Sequence, residues 1–134
     1  MRIGVDMVRL ARFARIAEHP RMRRALFTAA ELGDVLDLGA ERRAERLGGR
    51  FCAKEATAKV LRRGLGQGLR WPDIEVTSDE WGAPVVALHG GARRIARAAG
   101  IRSVLVSITH QDDLVVCVAL GMTGGHDDED FGRH

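Results

Sequence analysis

The stretch from Arg50 to Lys59, RFCAKEATAK, holds both lysines of a chain that otherwise draws its positive charge from arginine. Glu55 stands between Lys54 and Lys59, four residues before the second. On a helix that spacing puts carboxylate and amine on one face. Such a pair can hold a divalent cation and a phosphate together. Asp6 closes an apolar strand-like start, MRIGVD, and Ser107 to His110, SITH, ends a second apolar run. A carboxylate at the end of a buried strand is costly unless it is paired or binds metal. Asp6 and Glu55 together offer what magnesium takes from a protein: one or two carboxylates, with water and substrate phosphate completing the octahedron. No histidine and cysteine set surrounds them, which argues against zinc.

Each of these groups also has a plainer reading. Asp6 can cap the segment that follows. Glu55 and Lys59 can form a surface ion pair worth only about 0.3–0.5 kcal/mol. His110, followed closely by Asp112 and Asp113, can be a turn residue. The loop Gly64-Leu65-Gly66-Gln67-Gly68 can bring backbone amides to a phosphate, or simply connect a helix to a strand. It is no Walker loop, because no Gly-Lys-Ser/Thr follows. Arg93, Arg94 and Arg97 stripe one helix and read as a solvated face. No serine sits in a Gly-x-Ser-x-Gly elbow, so the chain shows no nucleophile of its own.

The elements that must position these groups follow from pattern. Arg2 to Asp6 reads as a strand, and Met7 to Ile16 as a loop or short helix. His19-Pro20 breaks it, and Arg21 to Leu26 is a basic helical piece. Thr28 and Glu31 spell a capping box, starting a helix that the pattern carries to about Leu38. The longest helix begins near Glu41, with Leu47, Phe51, Ala58 and Leu61 near 3.6-residue spacing, and stops near Gly64. Trp71 to Thr77 and Pro84 to Leu88 read as strands joined by a turn. Gly91 to Ala99 is an amphipathic helix closed by Gly100. Val104 to Thr109 and Leu114 to Leu120 form a hairpin. The sum is an α+β fold, an antiparallel sheet packed on a long helix.

With 134 residues and 46% hydrophobic content the chain is one domain with a real core. Residues 1–121 form that domain, and 122–134 read as a flexible acidic tail. From Gly124 on, Asp127, Asp128, Glu129 and Asp130 face only Arg133, so this segment sums to −3. The remainder must therefore carry +6 to give the net +3. A basic body favours anionic partners. The basic residues are scattered and aromatics few, against a nucleic-acid binder. Cys52 and Cys117 both sit in apolar patterns and read as buried reduced thiols. No signal peptide or run of ~20 apolar residues is present, so no membrane and a cytoplasmic location are expected.

Six pieces stand in one order: IGVDMVRLARF (3–13), FTAAEL (27–32), GRFCAKEATAKVL (49–61), WPDIEV (71–76), GAPVV (82–86) and SITH (107–110). Together they resemble the holo-acyl-carrier-protein synthase family, the small trimeric 4′-phosphopantetheinyl transferases, over about residues 1–121. The resemblance implies transfer of the 4′-phosphopantetheine arm of coenzyme A to a serine of an apo acyl carrier protein, of fatty-acid or secondary-metabolite type. Adenosine 3′,5′-bisphosphate is released. It implies magnesium on Asp6 and Glu55, with Lys59 as a third catalytic residue. Glu55, directly or through a metal-bound water, or Lys59 would take the serine proton. Coenzyme A contacts are implied at Arg50, Lys59 and His110, and around Gly64, Gly66, Ser107 and Thr109. Arg12 matches the arginine that engages the carrier. A homotrimer is implied, each site shared by two chains. The resemblance departs at Arg9, where the family usually carries an acid, and at Arg62-Arg63-Gly64, in place of a common Gly-x-Gly. A catalytically weak coenzyme A or carrier binder of the same fold is the competing reading.

Overall fold

The computed structural model describes residues 1–64 and 66–124. In chain order the elements are β1 (Arg2–Arg9), α1 (Leu10–Ala17), α2 (Pro20–Leu26), α3 (Ala29–Gly33) and α4 (Ala40–Leu61). β2 (Ile74–Ser78), β3 (Pro84–Leu88), α5 (Gly90–Ala98), β4 (Ile101–Gln111) and β5 (Leu114–Thr123) follow. The long strands form an antiparallel sheet in the order β1-β5-β4, and β2 and β3 form a separate two-stranded ribbon. This is the expected α+β arrangement, with α4 packed across the larger sheet.

Small residues let α4 and the sheet approach closely. A β-carbon on Gly4 would run into the Ala56 carbonyl, and one on Gly121 would lie 2.5 Å from Val60 Cγ1. Cys52, Ala56 and Val60 of α4 meet Val115, Cys117 and Ala119 of β5 in the main core. Alternation along the strands puts Asp6 on this inner face, opposite Cys117 in the ladder. A second cluster lies under the N-terminal helices. There Phe13 stacks on Phe51 at 5.4 Å and meets Phe27 edge-on at 6.2 Å.

The outer face of the sheet has no such cover. Ile3, Val5 and Met7 are 72, 53 and 62% exposed, and Leu105 and Val118 are 59 and 40% exposed. The register places Val5 beside Val118, and Ile3 and Leu105 on either side of Leu120. They therefore form one contiguous apolar surface.

Several boundaries differ from the sequence expectation, and β4 runs Ile101–Gln111 instead of Val104 to Thr109. β1 runs on to Arg9, because Met7, Val8 and Arg9 continue the alternation and pair with Val116, Val115 and Leu114. α3 ends at Gly33 instead of Leu38, where glycine and Asp34 are poor helix formers. Trp71–Asp73 is a 3₁₀ turn, because Pro72 has no N–H to give a ladder. β5 reaches Thr123, so Met122 and Thr123 belong to the sheet and not to the tail. The acidic residues expected in that tail lie outside the described residues.

Candidate active site

β1 and α4 build the site between them. Asp6 projects from the inner face of β1 toward α4, its side chain 19% exposed. Lys59 reaches back from α4 and donates to the Val5 carbonyl at 2.8 Å and to Asp6 Oδ1 at 3.2 Å. Glu55 lies one turn earlier on the helix. Burial pushes its carboxyl above the ordinary value, the Asp6 charge adds to this, and Lys59 opposes it. The two carboxylates therefore share one electrostatic environment, partly desolvated and partly neutralised by one amine.

The two carboxylates line a cleft of about 530 Å³, together with Arg9, Arg12, Phe13 and Phe51, while Lys59 backs Asp6 from outside its lining. The expected carrier-binding Arg12 is thus on the rim of the cleft that holds the expected catalytic carboxylates. Arg9, where the resemblance departs, lines the same wall.

Cys52 is nearer than the sequence reading allowed. Its thiol donates to the Asp6 carbonyl at 3.3 Å, with Asp6 Oδ2 4.0 Å away. Burial, with Asp6 next, pushes its pKa up to about 12, and Cys117 is pushed to about 11. Burial thus favours the neutral thiol at both positions, which argues against either as a nucleophile. Two hard carboxylates with no thiolate or imidazole is a donor set that fits magnesium. Among the described residues no group of three or more metal-ligating side chains occurs.

Arg50 and His110 come together elsewhere, in a cleft of about 320 Å³ lined also by Arg42, Arg46, Gly49 and Ser78. The two clefts have no lining residue in common. Arg50 is 2% exposed. Its guanidinium donates to Asp34 at 2.6 Å, to the Glu31 carbonyl at 2.9 Å and to Ser78 Oγ at 3.4 Å. It ties the end of α3 to α4 before it can serve any ligand. Sequence reasoning missed Arg42 and Arg46. Their signal is spacing, since Arg42, Arg46 and Arg50 recur every four residues along one face of α4.

The SITH segment divides across the sheet. His110 shares the inner side with Ile108, while Ser107 and Thr109 pair with Val118 and Val116 on the exposed outer side. Gly64 and Gly66 lie beyond α4 in a turn where Gly64 N–H donates to Gln67 Oε1 at 2.8 Å. They line neither cleft.

Comparison with known proteins bears on the family and the fold. The profile of the 4′-phosphopantetheinyl transferase superfamily matches residues 2–119. A holo-[acyl-carrier-protein] synthase of Moorella thermoacetica is 40% identical, over 87% of this chain and 90% of that protein. Among solved structures, the Plasmodium yoelii acyl carrier protein synthase with ADP bound superposes with a TM-score of 0.83 at 27% identity, covering 92% of this chain and 96% of that one. The Bacillus anthracis holo-(acyl-carrier-protein) synthase in complex with coenzyme A (3′,5′-ADP) gives 0.77 at 26%, covering 92 and 96%. Because the superfamily's model spans residues 2–119 and a relative 40% identical covers most of the chain, the chain belongs to the holo-[acyl-carrier-protein] synthases of the 4′-phosphopantetheinyl transferase superfamily.

Proposed function

We propose that this chain transfers the 4′-phosphopantetheine group of coenzyme A to a serine of an apo acyl carrier protein, releasing adenosine 3′,5′-bisphosphate. The observation that carries this reading is the Asp6–Glu55 carboxylate pair in one open cleft, with Lys59 bonded to Asp6, on the fold of this family. In the reaction the serine oxygen forms a bond to the β-phosphorus of coenzyme A. The bond from that phosphorus to the bridging oxygen breaks, and the bisphosphate leaves with the electron pair. The serine proton passes to a carboxylate of the site. Glu55, whose carboxyl is raised above its ordinary value by burial and then by the Asp6 charge, is placed to accept it.

Asp6 and Glu55 would hold magnesium. Bound there, the ion supplies charge neutralisation to the pyrophosphate and the departing bisphosphate, an effect of several kcal/mol. Lys59 orients Asp6 and adds positive charge on the same side. Arg12 on the rim meets the acidic carrier. The cleft of Arg42, Arg46, Arg50 and His110 offers cationic walls for the bisphosphate end of coenzyme A. Ser107 and Thr109, on the outer side of β4, and Gly64 and Gly66, beyond α4, line neither cleft and would reach the coenzyme only across a contact with a second chain.

A homotrimer fits two features. The two clefts share no lining residue, and a second chain would bring the bisphosphate wall of one copy to the carboxylate pair of the next. The apolar outer sheet face, with Ile3, Val5, Met7, Leu105 and Val118 exposed, is what a subunit interface covers. No described helix is long and apolar enough to cross a membrane, which suits a cytoplasmic enzyme of fatty-acid synthesis.

Intact-mass spectrometry of an apo carrier mixed with the chain, coenzyme A and magnesium tests the reaction. A gain of one phosphopantetheine arm, lost on chelation and with Asp6→Ala, is expected. Coenzyme A binding without any mass gain on several carriers would leave only a binding protein. Mixing Asp6→Ala with His110→Ala chains tests the shared site: the mixture should recover activity that neither variant has.

A further inference from the structure

A third cavity, of about 500 Å³, lies at the opposite end of α4 from the bisphosphate cleft. Four arginines line it: Arg2 from β1, Arg62 and Arg63 after α4, and Arg94 from α5. Arg62 ends the helix in the left-handed region at φ 57°, where its N–H reaches the carbonyls of Ala58 and Lys59. That backbone conformation is uncommon for any residue other than glycine, and here it fixes where a guanidinium leaves the helix. Among the described residues, no carboxylate lies within 4 Å of Arg62, Arg63 or Arg94. Like charges have been gathered around a concave surface without acids to offset them.

The chain leaves the sheet at the rim of this cavity. Gly124 N–H donates to the Gly100 carbonyl at 3.0 Å. Gly100 directly follows Ala98 and Ala99, which line the cavity. Arg2 pairs with Gly121 in the ladder, and the Arg102 stem lies against Gly124. Three residues later begin Asp127, Asp128, Glu129 and Asp130, four consecutive acids. Three residues span at most about 10 Å, which keeps the first acid within reach of the rim. A tethered segment this close sits at an effective concentration in the millimolar range.

We propose that the acidic segment Asp127–Asp130 docks on the arginine cavity formed by Arg2, Arg62, Arg63 and Arg94 of its own chain. The match is in sign, in count and in position. Docking there neutralises a positive patch that has no acids of its own among the described residues, on a body of charge +6, and so keeps adventitious polyanions off it. The pairing is exposed and electrostatic, so it weakens as the Debye length shrinks with salt.

Backbone amide resonances of Asp127–Asp130 in the ¹⁵N-labelled full chain test this. At low ionic strength they should differ between the natural chain and the triple variant R62Q/R63Q/R94Q. High salt should bring the natural chain to the variant's positions, and R62K/R63K/R94K should keep most of the difference. Identical tail resonances in the natural chain and the glutamine variant at low ionic strength would overturn the proposal. So would an arginine-dependent shift that grows with protein concentration, because it would place the segment on a second copy.

Discussion

Lys54 and Lys59 stand five residues apart on one helix, and each is bonded to one carboxylate and to backbone carbonyls. Lys54 is 0% exposed and so is its partner Glu31. Its amine donates to Glu31 Oε1 at 2.8 Å, to the Trp71 carbonyl at 3.1 Å and to the Ile74 carbonyl. Glu31 in turn accepts from Thr28 N–H and Val76 N–H. Every proton of this amine is spoken for, and the network ties α3, α4 and β2 together. Lys59 is 55% exposed, and its partner Asp6 shares its surroundings with a second acid, Glu55. The first pair is closed and the second is open to ligand. The same two functional groups thus hold the fold at one turn and face a cleft at the next, and burial decides which.

Removing Glu55 should give the largest effect on the open side. Glu55→Gln should lower transfer by about 10²–10⁴-fold while the protein stays folded. It should also make the metal-free protein more stable at neutral pH. Burial and Asp6 raise the carboxyl above 4.5, so between 4.5 and that raised value the folded chain keeps a proton the unfolded chain has released. Stability therefore falls as pH climbs through this window, and glutamine escapes the loss. Denaturant midpoints at neutral pH and below pH 4.5 should show a gain for the variant at the higher pH only. A variant that is inactive and also less stable at neutral pH would erase the contrast between the two lysine regions.

The closed side should respond in the opposite way. Lys54→Met strands the buried Glu31 carboxylate and should cost about 3–5 kcal/mol of stability, read as a lower urea midpoint. Adding Glu31→Leu should recover much of it, since the pair is then replaced by apolar volume. The folded fraction of either variant should keep near-natural turnover. Loss of turnover without loss of stability would mean that Lys54 belongs to the site after all.

The capping box shows how far local sequence could reach. Thr28 and Glu31 were legible because their contact spans three residues, and Glu31 N–H does bond Thr28 Oγ1 at 3.2 Å. The partner of Glu31, Lys54, lies 23 residues away on another element, and no periodicity encodes that meeting. Glu55 and Lys59 were legible for the same local reason, and Asp6 because an acid in an apolar strand stands out. Arg50 read as a ligand contact, yet its first bonds are to Asp34 and Glu31, which local spacing does not reveal. SITH read as one island, whereas the strand's two-residue period sends His110 and Thr109 to opposite sides. Short polar motifs mark where a site is, and the pleat decides which of their members face it.

On the rim of the open cleft a smaller effect is expected. Arg12→Ala should raise the carrier KM by about tenfold, equivalent to about 1.4 kcal/mol, with little change for coenzyme A. Its salt dependence should flatten, because a rim charge acts mainly on association. A change in coenzyme A affinity instead would move Arg12 from the carrier face to the cofactor face.

Thr57 gives the finest test of the closed face. It is fully buried on α4 one turn after Lys54, and its hydroxyl has no hydrogen-bond partner among the described residues. A buried hydroxyl without a partner is a cost that an apolar group of the same shape removes. Thr57→Val should therefore raise stability by about 1 kcal/mol, seen as a higher thermal midpoint, with turnover unchanged. If the variant is instead destabilised, the hydroxyl is bonded to a buried water that helps bind the closed network. In that case the face around Lys54 is sealed by solvent as well as by protein, and its difference from the solvent-open Lys59 face is one of exchange rate as well as of burial.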